Sequence, residues 1–154
     1  MNRNLSILGV GLVLSLFLGI VARAELTDAD KMEIQRIAEE LPIILAEQGW
    51  DPYEENFHSD YVNWSMVRDQ VRSRDEFLEA VKTWYDEGNR ASGSEVVPIE
   101  FVELAPGVAM FLHSQQEEFN EGTEIRDIRF VSIYKQEEGR WYLLATSFMD
   151  LPEE

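Results

Sequence analysis

Apart from its carboxylates, this sequence has few side chains for acid–base chemistry, because it contains two histidines and no cysteine. His113 follows the apolar residues Phe111 and Leu112. An imidazole there could act as a general acid or base near neutral pH, or could be a buried structural histidine. Asp127 and Arg129 are two residues apart, which places them on one face of a strand. They could form a carboxylate base with a cationic substrate clamp, or an ion pair at the surface or in a dimer interface.

Metal and cofactor sites are not predicted. His58 and His113 are the two histidines, and no His-Glu-x-x-His spacing, Gly-rich phosphate loop or G-x-S-x-G segment occurs. The acidic residues between positions 117 and 124 are predicted to form a solvated hairpin tip, since they lack the pattern of an EF-hand loop. We therefore expect no cofactor and no metal.

Length and charge restrict the class of protein. A chain of 154 residues suits one domain, and its formal charge of −17 comes from 13 basic and 30 acidic residues. Nucleic-acid binding needs clustered cations, so it is not expected, and anionic membrane surfaces are disfavoured for the same reason. Apolar residues make up 45% of the chain, which argues against intrinsic disorder.

The N-terminal 24 residues have the pattern of a secretory signal peptide. Arg3 precedes an uncharged stretch over residues 5–22, and Ala22-Arg23-Ala24 supplies a cleavage site. We expect cleavage after Ala24, a secreted or periplasmic domain over residues 25–154, and no stable membrane association afterwards. An uncleaved membrane anchor is the alternative, because about 18 apolar residues nearly span a bilayer.

The first half of the domain is predicted to be mainly helical. Thr27 and Asp30 form a capping box at the start of a first helix, and Gly49 ends it. Pro42 lies inside this helix and removes one backbone hydrogen bond. We expect a kink or a break near residues 38–41.

Two shorter helices are predicted after the first. Asp51 is expected to cap the second helix, and Ser73 is expected to cap the third. Between these helices, residues 60–65 have strand propensity, and residues 67–72 are a weaker candidate for the partner strand of a hairpin. This segment therefore adds a strand pair to the helical half.

The second half of the domain is predicted to be extended. Short turns separate four runs, which indicates an antiparallel meander over residues 95–104, 108–120, 124–136 and 140–149. Pro98 within the first run favours an edge or bulged position, because proline cannot donate to a strand ladder. Helices first and a meander second indicate the α+β class.

Both faces of the predicted sheet carry apolar residues. In the third run Ile128 and Phe130 lie on one face, whereas Val131 and Ile133 lie on the other. One face is expected to pack on the helices. The other is expected to meet a second copy of the chain, so a homodimer is predicted.

The order of elements and three segments carry a resemblance to a known family. The segments are residues 50–53 (Trp-Asp-Pro-Tyr), residues 57–65 (Phe-His-Ser-Asp-Tyr-Val-Asn-Trp-Ser) and residues 138–144 (Glu-Gly-Arg-Trp-Tyr-Leu-Leu). Over roughly residues 28–150 the chain resembles NTF2-like (cystatin-like α+β) proteins, particularly SnoaL-like and calcium/calmodulin-kinase association-domain-like members. The resemblance implies a cone, in which N-terminal helices pack on a curved antiparallel meander sheet and leave a pocket between them.

The chain departs from the ketosteroid isomerases of this fold at two positions. By motif position their catalytic base would fall near Trp64 and their oxyanion-hole acid near Val131, and neither residue can exchange the required proton. Ser147 also stands near the position where some relatives have a histidine. A steroid-isomerase mechanism is therefore not expected.

The resemblance also implies which residues border the pocket. Tyr53, Tyr61, Trp64 and Trp84 are the expected ligand-binding aromatics. Arg129, the possible cationic clamp beside Asp127, is added to these ligand-binding candidates from its spacing and not from the resemblance. Aromatic walls with few polar groups suit an apolar or aromatic small molecule.

Three functions are compatible with this fold, which hosts isomerases, cyclases, dehydratases and non-catalytic binders. The first is a secreted small-molecule-binding domain without catalysis. The second is a SnoaL-like enzyme that transfers a proton on an apolar carbonyl compound, with His113 as acid or base and Asp127 or Tyr53 assisting. The third is a dimeric interaction module whose pocket is filled by side chains, which predicts no cavity of roughly 300 Å³ or more.

Overall fold

The computed structural model describes residues 25–65 and 70–151. The predicted signal peptide, residues 1–24, lies outside the described residues, as does the first half of the predicted partner strand, residues 67–69. No helix in the described part of the chain is long and apolar enough to cross a membrane. The elements are α1 (Asp28–Glu47), α2 (Trp50–Glu54), β1 (Phe57–Ser65), β2 (Val71–Ser73), α3 (Arg74–Asp86), β3 (Ala91–Ala105), β4 (Val108–Phe119), β5 (Glu124–Glu137) and β6 (Arg140–Asp150).

Helix α1 begins at the predicted capping box, in which the Thr27 hydroxyl accepts from the Asp30 amide and the Asp30 carboxylate accepts from the Thr27 amide. The helix continues through Pro42, so of the predicted kink or break the break does not occur. Pro42 deprives the Ala38 carbonyl of its intrahelical donor. The Gln115 side chain supplies a replacement, because its Nε2 donates to this carbonyl over 3.3 Å.

Helices α2 and α3 begin in different ways. Ser73 and Glu76 form the predicted capping box of α3. Asp51 does not cap α2, because that helix begins at Trp50 and its N-cap residue is Gly49, two residues before Asp51. Gly49 precedes it with a φ of 91°, a conformation that suits glycine and turns the chain directly from α1 into α2.

The six strands form one curved mixed sheet in the order β2-β1-β6-β5-β4-β3. Strands β3 to β6 form the predicted antiparallel meander, whereas β1 pairs with β6 in parallel and with β2 in antiparallel. Pro98 lies in the edge strand β3, where the register shifts between Pro98 and Glu100. Its predicted edge or bulged position is confirmed.

The core lies between the helices and one face of this sheet. Helix α1 contributes Ile34, Ile37 and Leu45, which belong to the same buried hydrophobic cluster as Phe111 and Trp141 of the sheet. The indole N–H of Trp141 donates to the Asp30 carboxylate over 3.0 Å and thereby joins β6 to the start of α1. We call the sheet face toward the helices the inner face and the opposite one the outer face.

Candidate ligand-binding cavity

A cavity of about 600 Å³ separates the helices from part of the inner sheet face. This volume lies within the range of small-molecule sites, which begins near 300 Å³. It disfavours the alternative of a pocket filled by side chains. Nine aromatic residues line the cavity: Tyr53, Phe57, Tyr61, Phe77, Trp84, Phe119, Phe130, Tyr134 and Phe148.

Exposure of the lining residues shows where the cavity opens. Thr83, Arg126 and Asp150 line it and are exposed, so its mouth lies beside the end of α3 and the adjoining ends of β5 and β6. Tyr61 and Tyr134 line it and are almost fully buried, so they belong to its base. The mouth is therefore charged, whereas the base is aromatic.

His113 lines the cavity and is buried, with its ring stacked between two phenylalanine rings. The ring centroids lie 4.4 Å from Phe111 and 5.0 Å from Phe130. Burial lowers the pKa of His113 to about 4, although a hydrogen bond to Gln115 partly opposes this shift. The imidazole is therefore neutral at pH 7 and lacks the protonated form that a general acid needs. This favours the interpretation of His113 as a buried structural histidine.

The Gln115 side chain links His113 to Glu117, and all three residues face inward from β4. The Oε1 atom of Gln115 lies 3.3 Å from His113 Nε2, and this nitrogen donates when it carries the imidazole proton. Gln115 Nε2 lies 2.9 Å from Ser94 Oγ, 3.1 Å from Glu117 Oε1 and 3.3 Å from the Ala38 carbonyl. Because an amide nitrogen has two protons, these three acceptors compete for two donors.

Glu117 is the site residue that the sequence analysis does not identify, because the sequence pattern predicts that it lies in a solvated hairpin tip. It lines the cavity, and burial raises its pKa to about 7, with Asp150 adding to the shift and Arg126 opposing it. The signal that could have found it is strand alternation, because positions 113, 115 and 117 point to one face. A carboxyl group with this pKa is suited to proton transfer near neutral pH.

Two arginines also line the cavity, and they differ in their partners. Arg126 faces Glu117 across β4 and β5, forms an ion pair with Glu124 over 2.6 Å and stacks on Phe119. Arg72 of β2 lines the cavity opposite Asn63 of β1. Arg126 therefore already has a carboxylate partner in Glu124.

The predicted site residues divide between the two faces of the sheet. His113, Tyr53, Tyr61 and Trp84 line the cavity. Asp127, Arg129 and Trp64 do not, and their predicted placement at the pocket is corrected. Their neighbours Arg126, Ile128 and Asn63 face inward, so strand alternation turns these three side chains outward.

The outward-facing residues have other surroundings. Asp127 accepts a hydrogen bond from Gln116 Nε2 over 3.0 Å, and Trp64 is 51% exposed. Val131, the position matched to the isomerase acid, is also exposed on the outer face. Within residues 25–65 and 70–151 no three His, Asp or Glu side chains are grouped to hold a metal ion.

Similarity to other proteins was found in structure and not in sequence. No protein-family model matches the sequence, and no curated protein is significantly similar to it. Solved structures do match. An NTF2-like protein of unknown function from Prochlorococcus marinus has a TM-score of 0.59 at 16% identity, over 80% of this chain and 94% of that chain.

Two further matches have comparable scores. A ketosteroid isomerase-like protein from Erwinia carotovora atroseptica has a TM-score of 0.63 at 12% identity, over 82% of this chain and 100% of that chain. A protein from Catenulispora acidiphila in complex with S-DNPA has a TM-score of 0.65 at 12% identity, over 80% of this chain and 95% of that chain. The element order, the sheet topology and these matches agree: the chain has the NTF2-like, or cystatin-like, α+β fold.

Proposed function

We propose that this protein binds an apolar or aromatic small molecule inside its cavity. The observation that carries the proposal is an aromatic-lined space of about 600 Å³ with a buried base and a solvent-exposed mouth. Apolar walls with a few polar groups are the usual composition of ligand sites. The ligand complex of the Catenulispora acidiphila protein supports the proposal, because its fold is the same.

The test is a thermal-shift titration with an apolar aromatic ketone, 2-acetonaphthone. A ligand that binds the native state alone raises stability by about 2.7 kcal/mol at a hundredfold excess over its Kd. We expect an increase of several degrees in Tm. Val81→Trp places a large ring in the cavity wall and should abolish the shift, whereas Val97→Trp, on exposed β3, should not. An unaltered shift in Val81→Trp would place the ketone elsewhere.

A second candidate function is proton transfer on a bound carbonyl compound, and Glu117 is the observation that favours it. As a carboxylate, Glu117 would take a proton from the carbon next to the carbonyl, and the C–H electron pair would move toward the carbonyl oxygen to form an enolate. Return of a proton to that carbon completes an exchange, whereas delivery of the proton to another carbon of a conjugated enolate completes an isomerisation. Glu117 is better matched to this role than His113, because its pKa of about 7 is near the working pH.

Deuterium exchange tests the catalytic candidate directly. In D₂O, turnover would replace the methyl protons of 2-acetonaphthone with deuterium, which NMR detects. The rate should rise with pH and level off above about pH 7, since the carboxylate is the active form. Glu117→Gln should stop the exchange and Asp127→Asn, on the outer face, should not. Equal exchange in Glu117→Gln and the wild type would exclude Glu117 as the base.

We also propose a homodimer that uses the outer face. Val62, Trp64, Val131 and Met149 are large apolar residues exposed there, on the neighbouring strands β1, β5 and β6. Asp127 and Arg129 lie on the same face, so a two-fold arrangement could pair each with its opposite in the other copy. Covering this surface would remove apolar area from water.

Export through residues 1–24 is proposed on the signal-peptide pattern alone. Expression of the full chain in a bacterial host with a general secretion pathway tests it. Mass spectrometry of the exported protein should give a chain that begins at Glu25. A protein retained in membranes at full length would indicate the anchor instead.

A further inference from the structure

Arg72 differs from most of the arginines of the described chain in its partners. Arg36, Arg74, Arg126 and Arg140 each form an ion pair with a carboxylate. Arg72 is half-buried and lines the cavity, yet within residues 25–65 and 70–151 its side chain has no hydrogen bond or ion pair. Among the described residues no carboxylate pairs with this guanidinium, although the chain has 30 acidic and 13 basic residues.

The neighbours of Arg72 on the sheet are polar and uncharged. Asn63 lies opposite Arg72, and Thr146 of β6 lies opposite Asn63, so the three residues form one row across three strands. All three line the cavity. This row presents the guanidinium of Arg72, the amide of Asn63 and the hydroxyl of Thr146 at the side of the cavity that β1 and β2 form.

The acidic residues of the lining lie elsewhere. Asp150 is four residues beyond Thr146 on β6, which corresponds to about 13 Å along a strand. On β4, Phe111 is the residue level with Thr146, because it pairs with Ser132, which in turn pairs with Thr146. Glu117 is six residues beyond Phe111 on that strand, so it lies further from this row than Asp150 does. The cavity is therefore polarised, with Arg72 at one side and the carboxylates toward the mouth.

We propose that the ligand is an aromatic carboxylic acid bound as its anion, with its carboxylate on Arg72 and its rings among the aromatic side chains. This inference rests on the proposed binding function and names the class of ligand. A guanidinium group matches a carboxylate in a planar, bidentate geometry, and such charge-assisted hydrogen bonds are stronger than neutral ones. The overall negative charge does not prevent binding, because exposed charges are largely screened beyond about 8 Å at physiological ionic strength.

The experiment compares two probes that differ in one group, 2-naphthylacetate and 2-naphthylacetamide. Binding of each to the purified protein is measured by calorimetry at pH 7.5, where the acid is ionised. The wild type should bind the acid at least about tenfold more tightly than the amide, the scale expected of one charge-assisted hydrogen-bonded pair. Arg72→Met should lower the affinity for the acid to that for the amide and leave the amide unchanged. Arg72→Lys should retain part of the preference.

Arg129→Met is the matched control, because Arg129 lies on the outer face and its removal changes the net charge equally. This variant should keep the wild-type preference. Equal affinities for acid and amide in the wild type, or an undiminished preference in Arg72→Met, would overturn the proposal while leaving a binding cavity. If neither probe nor 2-acetonaphthone bound, the proposed binding function itself would fail, and the acid-binding proposal with it.

Discussion

Gln115 donates a hydrogen bond over 3.3 Å to the one α1 carbonyl, that of Ala38, which Pro42 leaves without a helical donor. The same amide nitrogen also contacts Ser94 and Glu117. Pro42 therefore influences how many of the Gln115 amide protons remain available to the carboxylate of Glu117.

Replacing the proline should change the titration of Glu117. In Pro42→Ala a new backbone amide at position 42 can donate to the Ala38 carbonyl, which leaves both Gln115 protons for Ser94 and Glu117. A hydrogen bond to a carboxylate favours its charged form, so the pKa of Glu117 should fall below about 7. NMR titration of the Glu117 carboxyl carbon measures this shift. Pro106→Ala, in the exposed turn before β4, is the control, and an unchanged pKa in Pro42→Ala would contradict the competition.

Stability should depend on pH through Glu117. Its folded pKa is raised, so between about pH 4.5 and 7 the unfolded chain loses this proton first and the folded state loses stability as pH rises. The loss should be about 1–3 kcal/mol, from 1.36 kcal/mol per pKa unit with allowance for partial exposure. Urea unfolding at pH 4 and 7.5 should therefore show Glu117→Gln gaining stability relative to the wild type at the higher pH. Glu118→Gln corrects for the change in net charge, and parallel profiles for wild type and Glu117→Gln would refute the burial of this carboxyl.

The two tryptophans proposed from sequence should differ in their effect on ligand binding. Trp84 lines the cavity and packs edge-on against Phe119 at 5.4 Å, so Trp84→Ala removes part of the wall. It should weaken binding of 2-acetonaphthone about tenfold or more, because an aromatic contact contributes about 1 kcal/mol beyond the area that it buries. Trp64→Ala should leave the affinity unchanged. A larger loss in Trp64→Ala than in Trp84→Ala would mean that ligand binds the outer face.

A charge on the outer face should separate the proposed dimer. Val131→Glu places a carboxylate in the centre of that face, where burial without a partner is costly. Light scattering should give a dimer for the wild type and a monomer for this variant. Met32→Glu, at a residue of α1 that is 67% exposed, should remain dimeric. A wild-type protein that is monomeric at high micromolar concentration would remove the dimer from consideration.

The order and kind of most elements could be predicted from the sequence because they depend on local chemistry. Thr27 and Ser73 cap their helices through hydrogen bonds to amides three residues away. The four extended runs and the edge position of Pro98 follow in the same way from short-range alternation and from the missing proline amide. The predicted cap at Asp51 was wrong, because the N-cap residue of α2 is Gly49, two residues earlier in the chain.

The site was less predictable, because a strand pattern shows which residues share a face but not which face turns inward. Asp127 and Arg129 were correctly placed together, as were Ile128 and Phe130, yet only the packing of the helices decided that the second pair lines the cavity. The side chains of Gln115 and Glu117 likewise acquired their roles from burial.

By itself, then, the sequence determined the class of fold, the element boundaries to within a few residues and the acidic, cysteine-free character of the chain. Tertiary structure alone decided that α1 continues through Pro42, since the compensating donor, Gln115 of β4, is 77 residues away from the Ala38 carbonyl in the chain. It also decided that burial raises the pKa of Glu117 and that Arg72 lines a cavity. Each of these properties depends on what surrounds a side chain in space, and that environment comes from residues remote in the chain.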